Sequence, residues 1–118
     1  MVFILVSDPL FLEAIEAAAG GECLSLADEE TLLAALQENT PSLILLDLGL
    51  ATIEGAELVE KLKRNRSTQK IPIVVFGNSL RADLLQDAKE AGADLVLAKA
   101  AFREQLPGLM RHYDRSHK

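Results

Sequence analysis

The sequence predicts an α/β fold: a doubly wound (βα)5 domain with a parallel five-stranded sheet and helices on both faces. Three observations predict it. Four short apolar runs and one more polar segment alternate with longer stretches whose apolar residues recur at helical spacing. The first run, residues 2–6, is continuously apolar and rich in β-branched side chains, as in a strand buried on both faces. The connections between the segments are only a few residues long, as in successive βα units.

Four of the predicted strands are apolar and one is not. The apolar strands cover residues 2–6, 43–46, 71–76 and 95–97. Residues 22–27 are more polar, which is typical of an edge strand. This segment holds Cys23, the only cysteine, so the chain can form no internal disulfide. We interpret Cys23 as a buried and chemically inert thiol.

The first three helices are predicted from their faces and ends. Phe11 and Ile15 share the buried face of the first helix, which Gly20 and Gly21 terminate. Asp28 has the position and chemistry of an N-cap for the second helix. The third helix ends in a basic cluster that complements the negative end of the helix dipole, with a binding surface as the alternative. The cluster comprises Lys61, Lys63, Arg64 and Arg66.

The last two helices have less regular ends. Ser79 is the expected N-cap of the fourth helix, and Gly92 ends it. The fifth helix is expected over residues 102–113. Pro107 lies inside this segment, where a proline costs about 3 kcal/mol, so we expect the regular helix to start late or to kink.

Length, charge and hydropathy limit the function. A chain of 118 residues can bury a hydrophobic core without disulfides or metals, and we expect a single domain over residues 1–118. The formal net charge of −6 argues against direct binding to nucleic acid or to an anionic membrane. The first apolar run is too short to span a bilayer, and no basic leader precedes it. The cytoplasm is therefore the expected location.

Charged residues follow three of the predicted strands. Asp8 follows the first strand, Asp47 follows the third and Lys99 follows the fifth. Doubly wound sheets place functional groups beyond the carboxyl ends of their strands, so we expect these side chains to converge. Two neighbouring carboxylates favour a bound cation such as Mg²⁺, and an ammonium group favours an anionic ligand. The alternative is an Asp–Lys pair that merely fixes the strand ends.

Four segments in order, along essentially the whole chain, resemble the receiver domain of two-component response regulators. Residues 41–48 are similar to the family's third strand and its phosphoacceptor aspartate, and Gly55 is similar to the glycine that opens the third helix. Residues 71–75 resemble the fourth strand. Residues 91–94 and Lys99 resemble the approach to the fifth strand and the lysine that follows it. The resemblance implies a flavodoxin-like sheet with strand order 2-1-3-4-5.

The resemblance also implies roles for the residues at the strand ends. Asp47 would be the phosphoacceptor, taking a phosphoryl group from a histidine kinase or another signalling protein. Lys99 would contact the phosphoryl oxygens. Asp8, Asp47 and the backbone carbonyl of Gly49 would bind Mg²⁺. These roles imply a signalling domain rather than an enzyme, with a homodimer through helix 4, strand 5 and helix 5 left open.

Among the departures from the family pattern, one predicts weak metal binding and two predict an impaired switch. Ser7 replaces the first acid of an adjacent acidic pair, so Mg²⁺ should bind weakly. Gly77 replaces a Ser or Thr hydroxyl that would bind the phosphoryl group, a bond worth about 1.5–3 kcal/mol, with Asn78 or Ser79 as alternative donors. Val96 replaces the aromatic ring that reports activation. We therefore expect phosphoryl acceptance to be better preserved than signal transmission.

Two other functions stay open from the sequence. One is a pseudo-receiver, a fixed protein-interaction module that works without phosphorylation. The other is a small-molecule or enzyme domain on the same scaffold, because a fold does not determine function. This second alternative is disfavoured because no G-x-G-x-x-G or P-loop motif follows the first strand. His112 and His117 lie in the C-terminal tail, where we expect them to be solvated.

Overall fold

The computed structural model describes residues 1–20 and 22–114. Within them, strands and helices alternate as the sequence predicts. In chain order the elements are β1 (Val2–Leu5), α1 (Pro9–Ala18), β2 (Cys23–Ser25), α2 (Glu29–Glu38), β3 (Leu43–Asp47), α3 (Gly55–Arg64), β4 (Ile73–Gly77), α4 (Ala82–Ala91), β5 (Leu95–Ala98) and α5 (Lys99–Asp114). None of the helices in this part of the chain has the length and apolar character needed to cross a membrane.

The five strands form one parallel sheet in the order β2-β1-β3-β4-β5. The predicted fold class and strand order are therefore confirmed. The chain runs from β1 outward to β2 and then crosses to β3 on the other side of β1, so the strand order reverses between β1 and β3. Leu5 pairs with Leu46 at the end of these two strands, which brings the residues that follow them to the same edge.

Alternate residues of the central strands pack into two cores, one on each face of the sheet. On one face, Ile4, Leu45 and Phe76 pack with side chains of α1 and α5. On the other face, Phe3 and Leu46 pack with side chains of α2, α3 and α4. Because β1, β3 and β4 are buried over their full lengths, their sequences are continuous apolar runs apart from Asp47, the last residue of β3.

An aromatic cluster joins α1, β4 and α5. The rings of Phe76 and Phe102 stack with their centroids 4.0 Å apart, and Phe11 meets Phe76 edge-on at 5.5 Å. All three side chains are buried. Aromatic pairs of this kind contribute about 0.5–1.5 kcal/mol beyond the area they bury. The cluster therefore helps to hold α1 and α5 on the same face of the sheet.

The predicted ends of the first two helices are confirmed. Gly20 follows α1 with a φ of 67°, in the left-handed region that favours glycine; Gly21 lies outside the described residues. Asp28 caps α2, because its carboxylate accepts a hydrogen bond from Thr31 N at 2.9 Å. Thr31 Oγ1 in turn accepts one from Asp28 N at 3.3 Å, which completes a reciprocal capping box.

The predicted cap of the fourth helix is wrong. Ser79 does not cap α4, which begins only at Ala82. Instead, the side-chain oxygen of Asn78 accepts a hydrogen bond from Leu80 N at 2.9 Å. The carbonyl of Asn78 also accepts one from Arg81 N at 2.9 Å. These two bonds fold the segment into a turn before the helix starts.

The fifth helix starts earlier than predicted. It begins at Lys99, directly after β5, and continues to Asp114 through Pro107. The expected late start is wrong because residues 100–101 are alanines, the strongest helix formers, and because Phe102 holds the first turn on the core. Packing of this kind offsets the hydrogen bond that Pro107 removes.

The structure also shows how far the side chains of Cys23 and His112 are exposed. Cys23 is half-buried rather than buried, because β2 is a short edge strand. Burial and the neighbouring Glu16 carboxylate raise the pKa of the Cys23 thiol, which favours its protonated form. His112 is exposed near the end of α5, where its ring meets Tyr113 edge-on at 4.7 Å. His117 lies outside the described residues.

Candidate functional site

The carboxyl ends of four strands carry the residues predicted to form the site. Ser7 and Asp8 follow β1, Asp47 ends β3, Gly77 ends β4 and Lys99 follows β5. These strands are parallel, so the backbone brings all five positions to one edge of the sheet. The side chains, however, make contacts that differ from those expected.

Asp47 is buried, with 2% of its surface exposed. Its Oδ2 atom accepts hydrogen bonds from Ser7 Oγ at 2.8 Å and from Ser7 N at 3.2 Å. Its Oδ1 atom accepts a hydrogen bond from Gly49 N at 2.8 Å. A buried carboxylate is unfavourable unless it is hydrogen-bonded, and bonds to an ionised acceptor are the stronger ones. Three protein donors therefore satisfy Asp47, with no cationic side chain in contact within the described residues.

Asp8 is half-buried and caps α1. Its Oδ1 atom accepts a hydrogen bond from Leu10 N at 2.9 Å, and its carbonyl accepts one from Leu12 N at 3.0 Å. Pro9 occupies the first helical position, where the missing N–H of proline leaves no bond unmade. One carboxylate oxygen of Asp8 is thus engaged in holding α1, and the other accepts no bond from the part of the chain described.

Lys99 lies over an aromatic ring rather than beside a carboxylate. Its Nζ atom is 5.2 Å from the ring centroid of Phe11, and the guanidinium carbon of Arg103 is at the same distance of 5.2 Å. Within residues 1–20 and 22–114, Lys99 makes no ion pair, so the Asp–Lys pair offered as an alternative is not formed. The electron-rich face of Phe11 attracts the ammonium group instead.

Leu48 fills the space beside Gly77, a contact that sequence reasoning missed. A β-carbon at position 77 would lie 3.2 Å from the Cβ of Leu48 and 3.3 Å from its Cδ1. A β-carbon at Gly55 would collide with the Cδ2 atom of the same leucine. The two glycines therefore leave room for one leucine side chain between them. The sequence signal for this contact was that positions 55 and 77 are both glycine, which has no side chain.

A cavity of about 350 Å³ opens at the end of β4. It is lined by Leu48, Gly49, Gly77, Asn78, Arg81 and Leu84. Arg81 enters this lining because the turn that follows β4 positions it there, and its guanidinium pairs with Asp83 at 3.1 Å. Both members of that pair are largely exposed, so the pair is weak. Sequence reasoning did not find Arg81, because the turn was not predicted.

The residues at this edge include oxygen donors of the kind that bind a divalent cation. Asp8, Asp47 and the carbonyl of Gly49 are the kind of ligands that Mg²⁺ prefers, together with water. Among the described residues, no cluster of three or more Asp, Glu, His or Cys side chains is arranged to hold a metal. Both oxygens of Asp47 already accept hydrogen bonds. A cation here would therefore depend on water and on competition with those donors.

The fold and the site define a class of protein: a doubly wound α/β domain with a buried carboxylate where the strand order reverses. The family model of the response regulator receiver domain matches residues 8–111. The chain therefore belongs to the receiver-domain family of two-component response regulators, which are signalling modules.

Two curated proteins illustrate the relationship. The chain is 36% identical over 81 residues to the phosphate regulon transcriptional regulatory protein PhoB of Pseudomonas aeruginosa. That match covers 69% of this chain and 35% of PhoB. The gliding motility regulatory protein of Myxococcus xanthus is 28% identical over 100 residues, covering 81% of this chain and 13% of that protein. The chain thus spans about a third of the length of PhoB and a smaller share of the second relative.

Solved structures agree on the fold. The phosphorylated cyanobacterial phytochrome response regulator RcpA is similar with a TM-score of 0.78 at 23% identity, covering 94% of this chain and 88% of that one. The receiver domain of a sensor histidine kinase from Pseudomonas aeruginosa, with a magnesium ion coordinated in its active-site cleft, also has a TM-score of 0.78. Its identity is 17%, and the match covers 95% of this chain and 94% of that one.

Proposed function

We propose that this receiver domain accepts a phosphoryl group on Asp47 within a two-component phosphorelay and that it responds only weakly to phosphorylation. The observation that carries the proposal is the placement of Asp47. It is a buried, hydrogen-bonded carboxylate at the end of β3, beside the reversal of strand order where doubly wound sheets bind their ligands. Membership of the receiver family supports this role.

The chemistry needs a nucleophile and compensation for the phosphoryl charge. A carboxylate oxygen of Asp47 bonds to phosphorus while the leaving group departs, which gives an acyl phosphate. Lys99 compensates for the charge on the phosphoryl oxygens. Its contact with the Phe11 ring is worth about 0.5–1 kcal/mol. Leaving the ring therefore costs the ammonium group little when it turns towards a phosphoryl group.

Asp8, Asp47 and the Gly49 carbonyl are the residues that would hold Mg²⁺. When bound, the ion would supply further neutralisation of the phosphoryl charge. Because Ser7 supplies a hydroxyl where a second acid would add a carboxylate, the affinity is weak. The magnesium ion in the cleft of the similar histidine-kinase receiver domain supports the choice of metal.

Signal transmission is weak because positions 77 and 96 lack the groups that would respond to a phosphoryl group. Gly77 has no hydroxyl for a phosphoryl oxygen, and Leu48 fills the adjoining space. Val96, half-buried on β5, has no ring that could change position on activation. Coupling between sites is typically about 1–3 kcal/mol, and one hydrogen bond to a charged group is of the same size. Loss of that bond therefore removes most of the switch.

The partner that follows from this role is another protein. The phosphoryl donor is a histidine kinase or a related signalling protein in the cytoplasm, and residues 1–118 act as one domain. An output partner docks on α4, β5 and α5, the surface that would also pair two copies of the chain. The formal net charge of −6 argues against nucleic acid and anionic membranes as direct partners.

A fixed interaction module is the second candidate, and one observation favours it. The Leu48 side chain is held between Gly55 and Gly77, so it links the segment after β3 to the end of β4. Tight packing at such a point favours a single arrangement of the two connections. In this case the same surface would bind its partner whether or not Asp47 is modified.

Intact-mass measurement after incubation with acetyl phosphate and Mg²⁺ tests the proposed function. We expect the wild-type chain to gain the mass of one phosphoryl group and the Asp47→Asn variant to gain none. No gain by the wild type over a range of Mg²⁺ and acetyl phosphate concentrations would favour the fixed module.

Amide NMR with beryllofluoride and Mg²⁺ tests the weak response. We expect shift changes close to Asp47 and Gly49, with small changes along α4 and β5. Large changes across α4 and β5 would contradict an impaired switch.

A further inference from the structure

The two oxygens of Asp47 have different surroundings. Oδ2 accepts two hydrogen bonds, both from Ser7: one from the hydroxyl at 2.8 Å and one from the backbone N–H at 3.2 Å. Oδ1 accepts one hydrogen bond, from Gly49 N at 2.8 Å. An ionised carboxylate offers about two lone-pair sites on each oxygen. Ser7 thus fills both sites of Oδ2, whereas Oδ1 keeps one open.

Ser7 is well placed to donate both hydrogen bonds to Oδ2 because it lies between two fixed elements. It follows β1, whose last residues are buried, and it precedes Asp8, whose carboxylate caps α1. Its N–H and its hydroxyl therefore approach Oδ2 from one short and anchored stretch of backbone. An ionised acid at position 7 has no hydroxyl to donate, so it would lack the shorter of the two bonds.

We infer that Ser7 is a positioning residue that holds Oδ2 of Asp47 in place of a cation and leaves Oδ1 as the oxygen that reacts. The inference rests on the proposed function, because it says which atom of Asp47 attacks phosphorus. It also states that a divalent cation and the Ser7 hydroxyl compete for the same oxygen. On this view, Mg²⁺ binds weakly for two reasons. Oδ2 of Asp47 already accepts hydrogen bonds from Ser7, and position 7 supplies no second carboxylate.

The transfer of the phosphoryl group to Asp47 needs neither a proton donor nor a base. With acetyl phosphate, Oδ1 of Asp47 forms a bond to phosphorus as the bond from phosphorus to the acetyl oxygen breaks. Acetate leaves with the electron pair of the broken bond. Oδ2 becomes the carbonyl oxygen of the acyl phosphate and continues to accept hydrogen bonds from Ser7. The Ser7 proton stays on its hydroxyl throughout.

The decisive experiment is a Mg²⁺ titration of the full chain, followed by the amide NMR shifts of Asp8, Asp47 and Gly49. Removing the hydroxyl in Ser7→Ala frees one lone-pair site of Oδ2. A hydrogen bond to a charged group is worth at least one power of ten in an equilibrium constant, so we expect Ser7→Ala to bind Mg²⁺ about tenfold more tightly than the wild type. Ser7→Thr, which keeps the hydroxyl, should bind Mg²⁺ as the wild type does.

Ser67→Ala is the matched control, because this exposed serine lies in the turn after α3, before β4 begins. Its Mg²⁺ titration should equal that of the wild type. If Ser7→Ala is too unstable to titrate, Ser7→Cys replaces it, since a thiol is a weak donor of similar shape. Unchanged or weaker Mg²⁺ binding in these Ser7 variants would overturn the inference.

The same variants separate this inference from the proposed function. Acetyl phosphate labelling should reach half of its Mg²⁺-dependent rate at a lower Mg²⁺ concentration in Ser7→Ala than in Ser7→Thr. If no variant is labelled, the proposed function fails, whereas the Mg²⁺ titration still shows whether Ser7 competes for Asp47. If labelling occurs but has the same Mg²⁺ dependence in both variants, the role of Ser7 fails and the proposed function stands.

Discussion

Leu48 packs against Gly77 so closely that a β-carbon at position 77 would lie 3.2 Å from the Cβ of the leucine. The same side chain fills the space in front of Gly55. Position 77 therefore has no hydroxyl, and the side chain of Leu48 occupies the space next to it. A change at one of these positions should be felt at the other.

Restoring a hydroxyl at position 77 should carry a steric cost that depends on Leu48. Gly77 lacks a positive φ, so a side chain there meets no backbone strain, and the leucine is its nearest obstacle. We expect Gly77→Ser to lower the free energy of unfolding by about 1 kcal/mol, the lower end of overpacking effects. A Leu48→Ala background removes the Cδ1 contact at 3.3 Å and keeps the Cβ contact at 3.2 Å, so the same substitution should cost less there, with a coupling energy of about 0.5 kcal/mol.

Urea unfolding of the two single variants and the double variant measures this coupling. Gly108→Ser is the control, since a β-carbon at position 108 would meet only the far end of Arg111, at 4.0 Å. Equal costs of Gly77→Ser in both backgrounds would show that Leu48 does not restrict position 77.

Lys99 and Arg103 offer a matched pair, because both lie 5.2 Å from the ring centroid of Phe11. Each contact is worth about 0.5–1 kcal/mol, so Lys99→Gln and Arg103→Gln should reduce stability by similar, small amounts. Only Lys99→Gln should slow the labelling of Asp47 by acetyl phosphate, since only Lys99 stands at the strand edge. Urea unfolding and intact mass measure the two effects, and equal labelling rates would remove Lys99 from the proposed site.

Lys63 connects the end of α3 to the starts of β4 and β5. Its ammonium donates hydrogen bonds to the carbonyls of Gln69 at 3.2 Å and Ile71 at 2.9 Å, and to Asp94 at 2.7 Å. Asp94 also accepts a hydrogen bond from Ile73 N at 2.7 Å. This member of the basic cluster thus binds carbonyl groups beyond the helix as well as complementing the helix dipole.

Lys63→Met should therefore lower the free energy of unfolding by about 2–3 kcal/mol, because it leaves carbonyls and a carboxylate without their shared donor. Lys61→Met is the control: Lys61 is 56% exposed in its ion pair with Glu29, whereas Lys63 is 17% exposed. The control should cost less than about 1 kcal/mol. Similar values from urea unfolding for both variants would contradict the structural role of Lys63.

The Asp28 cap makes stability depend on pH in a defined direction. Hydrogen bonds from the backbone and the side chain of Thr31 lower the pKa of Asp28 from its ordinary value of 3.8. The unfolded chain therefore binds the proton more tightly, so the contribution of Asp28 is fully present above about pH 4 and is lost as the pH falls through the folded value.

Asp28→Asn isolates this effect, because asparagine caps helices well but carries no charge. The wild type should be the more stable chain near neutral pH, and the difference should shrink as the solution is acidified below about pH 4. Thermal unfolding over a pH series measures the difference. A difference that does not change with pH would show that the charge of Asp28 contributes nothing.

Most of the fold was predictable because local patterns determine it. Continuous apolar runs marked the buried strands β1, β3 and β4, and the spacing from Asp28 to its helix marked a cap. The start of α4 was not predictable in this way. It depends on the turn made by Asn78, whose side-chain oxygen accepts a hydrogen bond from the N–H of Leu80 before the helix begins.

The site was predictable in its positions but not in its contacts. Asp47 stood out as an acid at the end of a buried strand. Ser7 was interpreted only as a missing acid, and its role as a donor appears once β1 and β3 are known to be neighbours. The packing of Leu48 depends on which way a side chain turns beyond the strand end, and no periodicity encodes that direction.

Locating the phosphoryl group tests the central claim most directly. Borohydride reduces an aspartyl phosphate to homoserine, so the wild-type chain can be treated with acetyl phosphate and Mg²⁺, reduced, digested and mapped by mass spectrometry. We expect homoserine at position 47 and at no other aspartate. Homoserine at another position, or none in a chain that remains folded, would contradict the assignment of Asp47 as the phosphoacceptor.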